Sequence, residues 1–238
     1  MLSKQKKFAA KKKEKPVKVK VVDLDFTPQG MEYWETRSSK DKKKDWNESK
    51  YESWIEGYWQ SYKHTHRFLL APAIRKLVRQ PDSILEVGCS AAPNIRLLER
   101  EFPMTKLAGI DINADSIRFS QSMMNRPTFM VGSVFSIPFY DKSFDVVFAD
   151  AVLMYVAPIA IRQAIGEMVR IAKKGIVLID WYDEARDGII KDFHWARNYP
   201  SLFESEDWKT VVDRPLTLKD WPTESWARNG HLFVFKPY

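Results

Sequence analysis

From Ser83 onward the hydrophobic pattern alternates between short apolar runs and amphipathic stretches. Ser83–Val87, Lys106–Asp111, Thr128–Gly132, Phe144–Ala149 and Ile176–Asp180 are the runs, each of strand length. Between them lie helical patterns at Asn94–Glu101, Ala114–Met123 and Pro158–Ala172. Asn113 precedes the second as a cap, and Pro158 stands in the first turn of the third. Ile161, Ile165, Met168 and Ala172 share one face of that third helix, and Gly175 reads as its stop. Strands alternating with helices require crossover connections. The pattern therefore predicts an α/β, doubly wound, mostly parallel sheet with helices on both faces. The last segment breaks the alternation. Trp208–Val212 and His231–Lys236 are strand-like with no convincing helix between them, and are expected to close a seven-stranded sheet as an antiparallel pair.

Upstream the pattern differs. Tyr51, Trp54, Ile55, Tyr58, Trp59 and Tyr62 recur at helical spacing on one face. This aromatic-faced helix is expected to continue or restart through His66 to Val78, with Pro72 near a helix start or kink. Residues 37–50 are polar and read as a loop, and Val17–Phe26 as a short strand or extended arm. Three parts follow: a tail over 1–20, an N-terminal arm and helical lid over 21–80, and an α/β domain over 81–238.

The formal charge of +7 changes this picture little, because it is local. Residues 1–20 carry nine lysines and one acid, Glu14, leaving the remainder close to neutral. Such a tail cannot bury enough apolar surface to fold alone and reads as a disordered arm. A tether to nucleic acid or anionic lipid is the sharper alternative, not favoured because arginines and interleaved aromatics are missing. Cys89 is the only cysteine, so an internal disulfide or a cysteine metal cluster is excluded. No apolar run approaches the ~18 residues of a bilayer span. These features together suggest a cytoplasmic protein. The four histidines show no metal-ligand spacing.

Candidate chemistry sits at the strand ends, where ligands bind in open α/β sheets. Glu86-Val87-Gly88-Cys89-Ser90-Ala91-Ala92-Pro93-Asn94 follows a strand and opens a helix. Gly88 allows a tight turn, and small residues let a ligand approach the backbone and the helix N-terminus. A dinucleotide loop would carry three glycines. This one has a single glycine, and Glu86 would repel a pyrophosphate. An acid beside free N–H donors better suits a ligand bearing both an amino group and a carboxylate. Asp111, ending the second strand, is placed to accept both hydroxyls of a ribose.

With these residues in view, the chain resembles the class I S-adenosylmethionine-dependent methyltransferases, and within them the broad subfamily that includes quinone-biosynthesis methyltransferases. The resemblance rests on Ile84–Asn94, Leu107–Ile112, Gly132–Asp145 and Val146–Val156, and with the strand order it covers about residues 66–238. It implies that Glu86, Gly88 and Ser90 lie against the methionine part of the cofactor. Asp111 would hold the ribose, Ile112 would cover the adenine, and Ser133 and Val134 would flank its edge. Asp150 and Ala151 would floor the active site beneath the methyl group. Ser90 and Ala92 stand where the family usually has glycines, Ser133 where it has an Asp, and Tyr155 where a His is frequent.

Two further clusters remain. Tyr58, His66 and Arg67 end the aromatic-faced segment, with Tyr58 and Arg67 as candidates for the cofactor side. Arg67 is a candidate partner for the cofactor carboxylate, and His66 for the substrate. His194-Trp195-Ala196-Arg197-Asn198-Tyr199 follows the fifth strand. Here His194 is a candidate base and Arg197 a candidate anchor for an acidic substrate, against a surface helix with an incidental His. His194, Tyr155 and Asp150 are thus the catalytic candidates. The expected reaction is methyl transfer to an N, O or C nucleophile of a small molecule. An RNA, DNA or protein methyltransferase that uses the tail, and an inactive methyltransferase-like binding subunit, are the rivals. The sequence does not fix the oligomeric state.

Overall fold

The computed structural model describes residues 29–37, 51–185, 188–191 and 194–238. The tail, the Val17–Phe26 arm and most of the 37–50 loop lie outside these residues. Among the described residues no helix is long and apolar enough to cross a membrane, and no group of three or more His, Cys, Asp or Glu is arranged to hold a metal ion.

In chain order the elements are α1 (Gln29–Thr36), α2 (Trp54–Gln60), α3 (Leu70–Leu77), β1 (Ser83–Val87), α4 (Pro93–Glu101), β2 (Lys106–Asp111), α5 (Ala114–Met123), β3 (Thr128–Val131), β4 (Phe144–Asp150), α6 (Ile161–Ile171), β5 (Ala172–Trp181), β6 (Gly188–Lys191), β7 (His194–Ala196), α7 (Tyr199–Glu204), β8 (Trp208–Pro215), α8 (Glu224–Asn229) and β9 (Gly230–Pro237). Short 3-10 turns occupy Ser61–Lys63, Thr65–Leu69, Leu153–Tyr155 and Pro158–Ala160.

The main sheet has seven strands in the order β3-β2-β1-β4-β5-β9-β8. The first five pair in parallel, and β9 runs antiparallel to both β5 and β8. The predicted doubly wound sheet with an antiparallel end is therefore present. The order reverses between β1 and β4, where strand ends diverge and leave a crevice. Alternate residues of each strand face opposite layers. In β4, Val146 and Phe148 pack with Trp54, Ile74, Ile95 and Leu98, while Val147 and Ala149 pack with Ile161, Ile165 and Met168. Both faces of the central strands are buried, which explains their unbroken apolar runs.

Several expectations need correction. Of the two forms expected for the aromatic-faced segment, it restarts rather than continues. Ser53 caps α2 by accepting the Glu56 N–H (3.2 Å), but after Gln60 the chain tightens into two 3-10 turns before α3. Helix α1 was not anticipated. Gly175 does not stop a helix, because α6 ends at Ile171 and β5 starts at Ala172. Its lack of a side chain serves packing instead: a Cβ there would meet Leu77 side-chain carbons at 2.3–2.7 Å. A helix, α8, does lie between the last two strands. His194–Ala196 is a strand paired with β6, not a surface helix.

Candidate functional site

The β1–β4 crevice holds a cavity of about 460 Å³. Its floor is built from strand ends and the loops that leave them. After β1 the chain turns at Gly88 (φ 73°), and the Gly88 and Cys89 N–H groups both donate to Ile110 O (2.8 and 2.9 Å). Ser90 and Ala92 also adopt positive φ, 46° and 57°, before Pro93 opens α4. A Cβ on Gly88 would sit 2.5 and 2.9 Å from the two Val152 methyls, so this turn and the loop after β4 are in tight contact. Ala151 begins that loop at φ 56°.

The polar groups of the floor are closely coupled. Asp111 accepts the Ser90 N–H (2.7 Å) on one oxygen and the Asn113 N–H (2.8 Å) on the other. Burial raises its carboxyl above the usual range, and those two bonds oppose the rise. Glu86 is buried. Its Oε1 accepts from Asn94 Nδ2 (2.7 Å), while Oε2 is buried with no partner. Burial holds this carboxyl well above the usual range, assisted by the charges of Asp150 and Asp111.

Asp150 is the hub of the floor. Its Oδ2 accepts from His66 Nε2 (2.9 Å), Arg67 (3.0 Å) and Asn94 Nδ2 (3.0 Å), whereas Oδ1 has no partner. Burial alone would raise this carboxyl. His66, Arg67 and Asn94 outweigh burial and hold it at about 2. His66 is fully buried and its pKa is pushed down, so it serves as a neutral ring donating Nε2–H to Asp150. Its Nδ1 meets His64 Nδ1 at 2.6 Å, and burial lowers the partly exposed His64 to about 4. Arg67 also donates to Asn94 Oδ1 (2.7 Å), Ser61 O (3.0 Å) and Ser61 Oγ (3.0 Å), so four of its five N–H donors are engaged.

Above the floor the walls are aromatic. Helix α1 is held over the start of α5 because Asn113 Nδ2 donates to Trp34 O (2.7 Å) and Arg37 O (2.9 Å). Trp34 then meets Tyr58 and Tyr155 edge-on, with ring centroids 6.0 and 5.5 Å apart. Tyr155 continues to His194 (4.7 Å), and His194 to Trp181 (5.3 Å). Trp181 meets Trp226 (5.9 Å), which stacks on Trp221 (3.8 Å, 5°), which stacks in turn on His66 (3.8 Å, 18°). All of these rings line the cavity and form a collar around it. Burial pushes the Tyr58 hydroxyl up to about 12 and the Tyr155 hydroxyl further up, so both stay protonated.

Of the residues singled out in the sequence, Tyr58, His66, Arg67, Glu86, Gly88, Ser90, Asp111, Ile112, Val134, Asp150, Tyr155 and His194 all line this one cavity. Two do not. Ser133 is absent from the lining, and its Oγ accepts the Phe135 N–H (3.3 Å) inside its own turn. Arg197 is fully buried behind the site, donating to Leu153 O (2.7 Å) and Val156 O. Asp180 works from the other side, accepting the Val152 (3.3 Å) and Leu153 (2.8 Å) N–H groups. Together they clamp the turn that carries Tyr155, so Arg197 is not a substrate anchor. Trp34, Asn94, Trp181, Trp221 and Trp226 had no assigned role in the sequence reading. Only the spacing of tryptophans in a polar segment could have pointed to the last two.

Residues 85–179 match the family model described as a methyltransferase domain. A demethylmenaquinone methyltransferase from Thermotoga maritima is 28% identical over 67 residues, covering 28% of this chain and 29% of that protein. The match thus spans less than a third of that relative's length. The methyltransferase solved with the Haloferax volcanii Trm112 activator superposes with a TM-score of 0.62 at 18% identity, covering 78% of this chain and 96% of its own. Magnesium protoporphyrin IX methyltransferase from Synechocystis PCC 6803, with bound S-adenosylmethionine, gives a TM-score of 0.62 at 10% identity, covering 91% and 100%. At such identities the two structures attest the fold.

Proposed function

We propose that this chain, a class I S-adenosylmethionine-dependent methyltransferase, binds S-adenosylmethionine over the ends of β1, β2 and β4 and methylates a small-molecule nucleophile within the same cavity. The observation that carries the reading is the meeting of Gly88, Glu86 and Asp111 beneath one cavity, with Glu86 Oε2 buried and unpartnered. An orphaned carboxylate oxygen is costly unless a ligand satisfies it. An ammonium beside it would supply a donor and restore its charge, which fits the amino group of the cofactor. Asp111 retains lone pairs for two ribose hydroxyls beyond the two N–H groups it already holds. Gly88 and Ser90, at positive φ, present the turn to the methionine part. Ile112 and Val134 offer apolar surface to the adenine.

When bound, the cofactor supplies a methyl group already activated by its sulfonium. The chain's residues then have three tasks: aligning the acceptor, excluding water and favouring charge where it develops. The aromatic collar performs the first two, and His194 stands within it as a base for acceptors that must lose a proton. A cavity of ~300–1,000 Å³ is the ordinary size for small ligands, so its 460 Å³, walled by rings, supports a small acceptor over a polymer.

Calorimetry with S-adenosylmethionine tests the site. Asp111→Ala removes an ionised acceptor of two hydrogen bonds, each worth ~1.5–3 kcal/mol. Affinity is expected to fall by roughly 100-fold or more. Unchanged affinity in the variant would sink the assignment.

A further inference from the structure

Asp150 is bonded unevenly. Three donors converge on Oδ2 and none reaches Oδ1, although the residue lies at the cavity wall with its side chain only 3% exposed. A buried carboxylate oxygen without a donor is costly unless something else satisfies it. The charges lining the cavity add a second asymmetry. Once a cofactor ammonium restores the charge of Glu86, the carboxylates of Glu86, Asp111 and Asp150 face one guanidinium among the described residues that line the cavity, that of Arg67, whose donors are largely engaged. That leaves two negative charges. The cofactor of the proposed function carries a sulfonium and an ammonium against one carboxylate, a net of one positive. One negative charge is left over, and Arg197, the cation once available for an acidic substrate, is turned away from the cavity. Much of the remaining lining of the cavity is aromatic, the standard surroundings of an organic cation.

We propose that the methyl acceptor is an amine, held as its ammonium by Asp150 Oδ1 and by the rings of Tyr58, Tyr155, Trp181 and Trp226. This rests on the cofactor reading above and names the acceptor class for that same site. The bound ammonium first gives one proton to His194, the base within the same collar. The neutral nitrogen then forms the N–C bond with the methyl carbon as the C–S bond breaks, its electron pair passing to sulfur. The positive charge moves from sulfur to nitrogen, and the product is an ammonium carrying one more methyl group beside a neutral thioether. Asp150 and the ring faces therefore interact more strongly with the transition state than with the neutral amine, which is how binding becomes catalysis. A carboxylic acid would instead add a second unbalanced negative charge. A phenol would have to ionise next to a permanent anion, because Asp150 is held at about 2.

Calorimetry on the full chain saturated with S-adenosylhomocysteine tests this with choline and its uncharged carbon isostere, 3,3-dimethyl-1-butanol. Choline should bind at least tenfold more tightly. Asp150→Asn should erase that preference, the two probes then binding the S-adenosylhomocysteine-loaded variant with equal affinity. In a panel with labelled S-adenosylmethionine, secondary amines should be methylated and phenols and carboxylic acids should not. Equal binding of the two probes to the wild-type protein overturns the proposal, whether or not the variant folds. So does methylation of phenols or acids but not amines. A parallel loss of S-adenosylhomocysteine affinity in Asp150→Asn would overturn it too, assigning Asp150 to the cofactor's own ammonium. Failure of S-adenosylhomocysteine to bind the wild-type protein at all would instead remove the cofactor reading on which the proposal stands.

Discussion

Arg197→Met separates a structural from a substrate-binding arginine. The wild-type guanidinium is fully buried and donates to Leu153 O and Val156 O, holding the turn that presents Tyr155 to the cavity. Methionine fills much of the volume but donates nothing. Each charge-assisted bond is worth ~1.5–3 kcal/mol. Leu153 O keeps the Val156 N–H (3.0 Å) as a second partner, so its loss belongs at the low end of that range. Val156 O is left worse off. Asp180 also loses a nearby positive charge. The total is about 3–5 kcal/mol, in line with breaking a buried polar pair. For a chain of this size that lowers Tm by on the order of 10–15 °C. Urea and thermal unfolding of both proteins measure it. Acceptor KM and cofactor affinity, taken well below the variant's transition, complete the assay. A variant as stable as the wild type, with only acceptor KM raised, would refute the clamp and restore Arg197 as a substrate ligand.

Two further outcomes follow from the same geometry. Gly88→Ala should cost about 2–4 kcal/mol, combining a residue forced to positive φ with a methyl driven against Val152; in urea unfolding, Val152→Ala on the same background should recover the packing part but not the backbone part. Burial raises the Asp180 carboxyl to about 7, well above its unfolded value, so folding takes up a proton in between. Its contribution to stability is full below about pH 4 and is lost as pH rises through 7. Relative to Asp180→Asn, the wild type should therefore lose on the order of 2–4 kcal/mol between pH 4 and 8, and parallel curves in chemical denaturation would contradict the shift.

How far this site was readable in advance differs between its two halves, for a physical reason. The half proposed to take the cofactor is local. Glu86, Gly88 and Ser90 sit within five positions on one strand-turn-helix unit, and Asp111 ends the neighbouring strand in register with it. Burial on both sheet faces makes those strands continuous apolar runs, so their ends, and the residues there, can be counted off the chain. The half proposed to take the acceptor is assembled from segments far apart in sequence. Trp34 arrives on a helix of eight residues, Tyr155 on a 3-10 turn, and Trp221 and Trp226 on the connection before β9. None of these pieces is long enough to show a period, and a lone tryptophan reads equally well as core. Arg197 misled for the same kind of reason. A basic residue beside a histidine after a strand suggests a ligand contact, and only the fold shows that two carbonyls of a distant turn claim its guanidinium. Gly175 shows the rule at its plainest: a glycine after a helical pattern suggests a stop, but the space it leaves is filled by Leu77 from a helix nearly a hundred residues earlier. What the chain hides is thus the set of groups whose partners lie on other elements. At this site those groups belong mainly to the proposed acceptor side, which is why the proposed methyl donor was legible and its recipient had to be argued from Asp150 and the rings that line the same cavity.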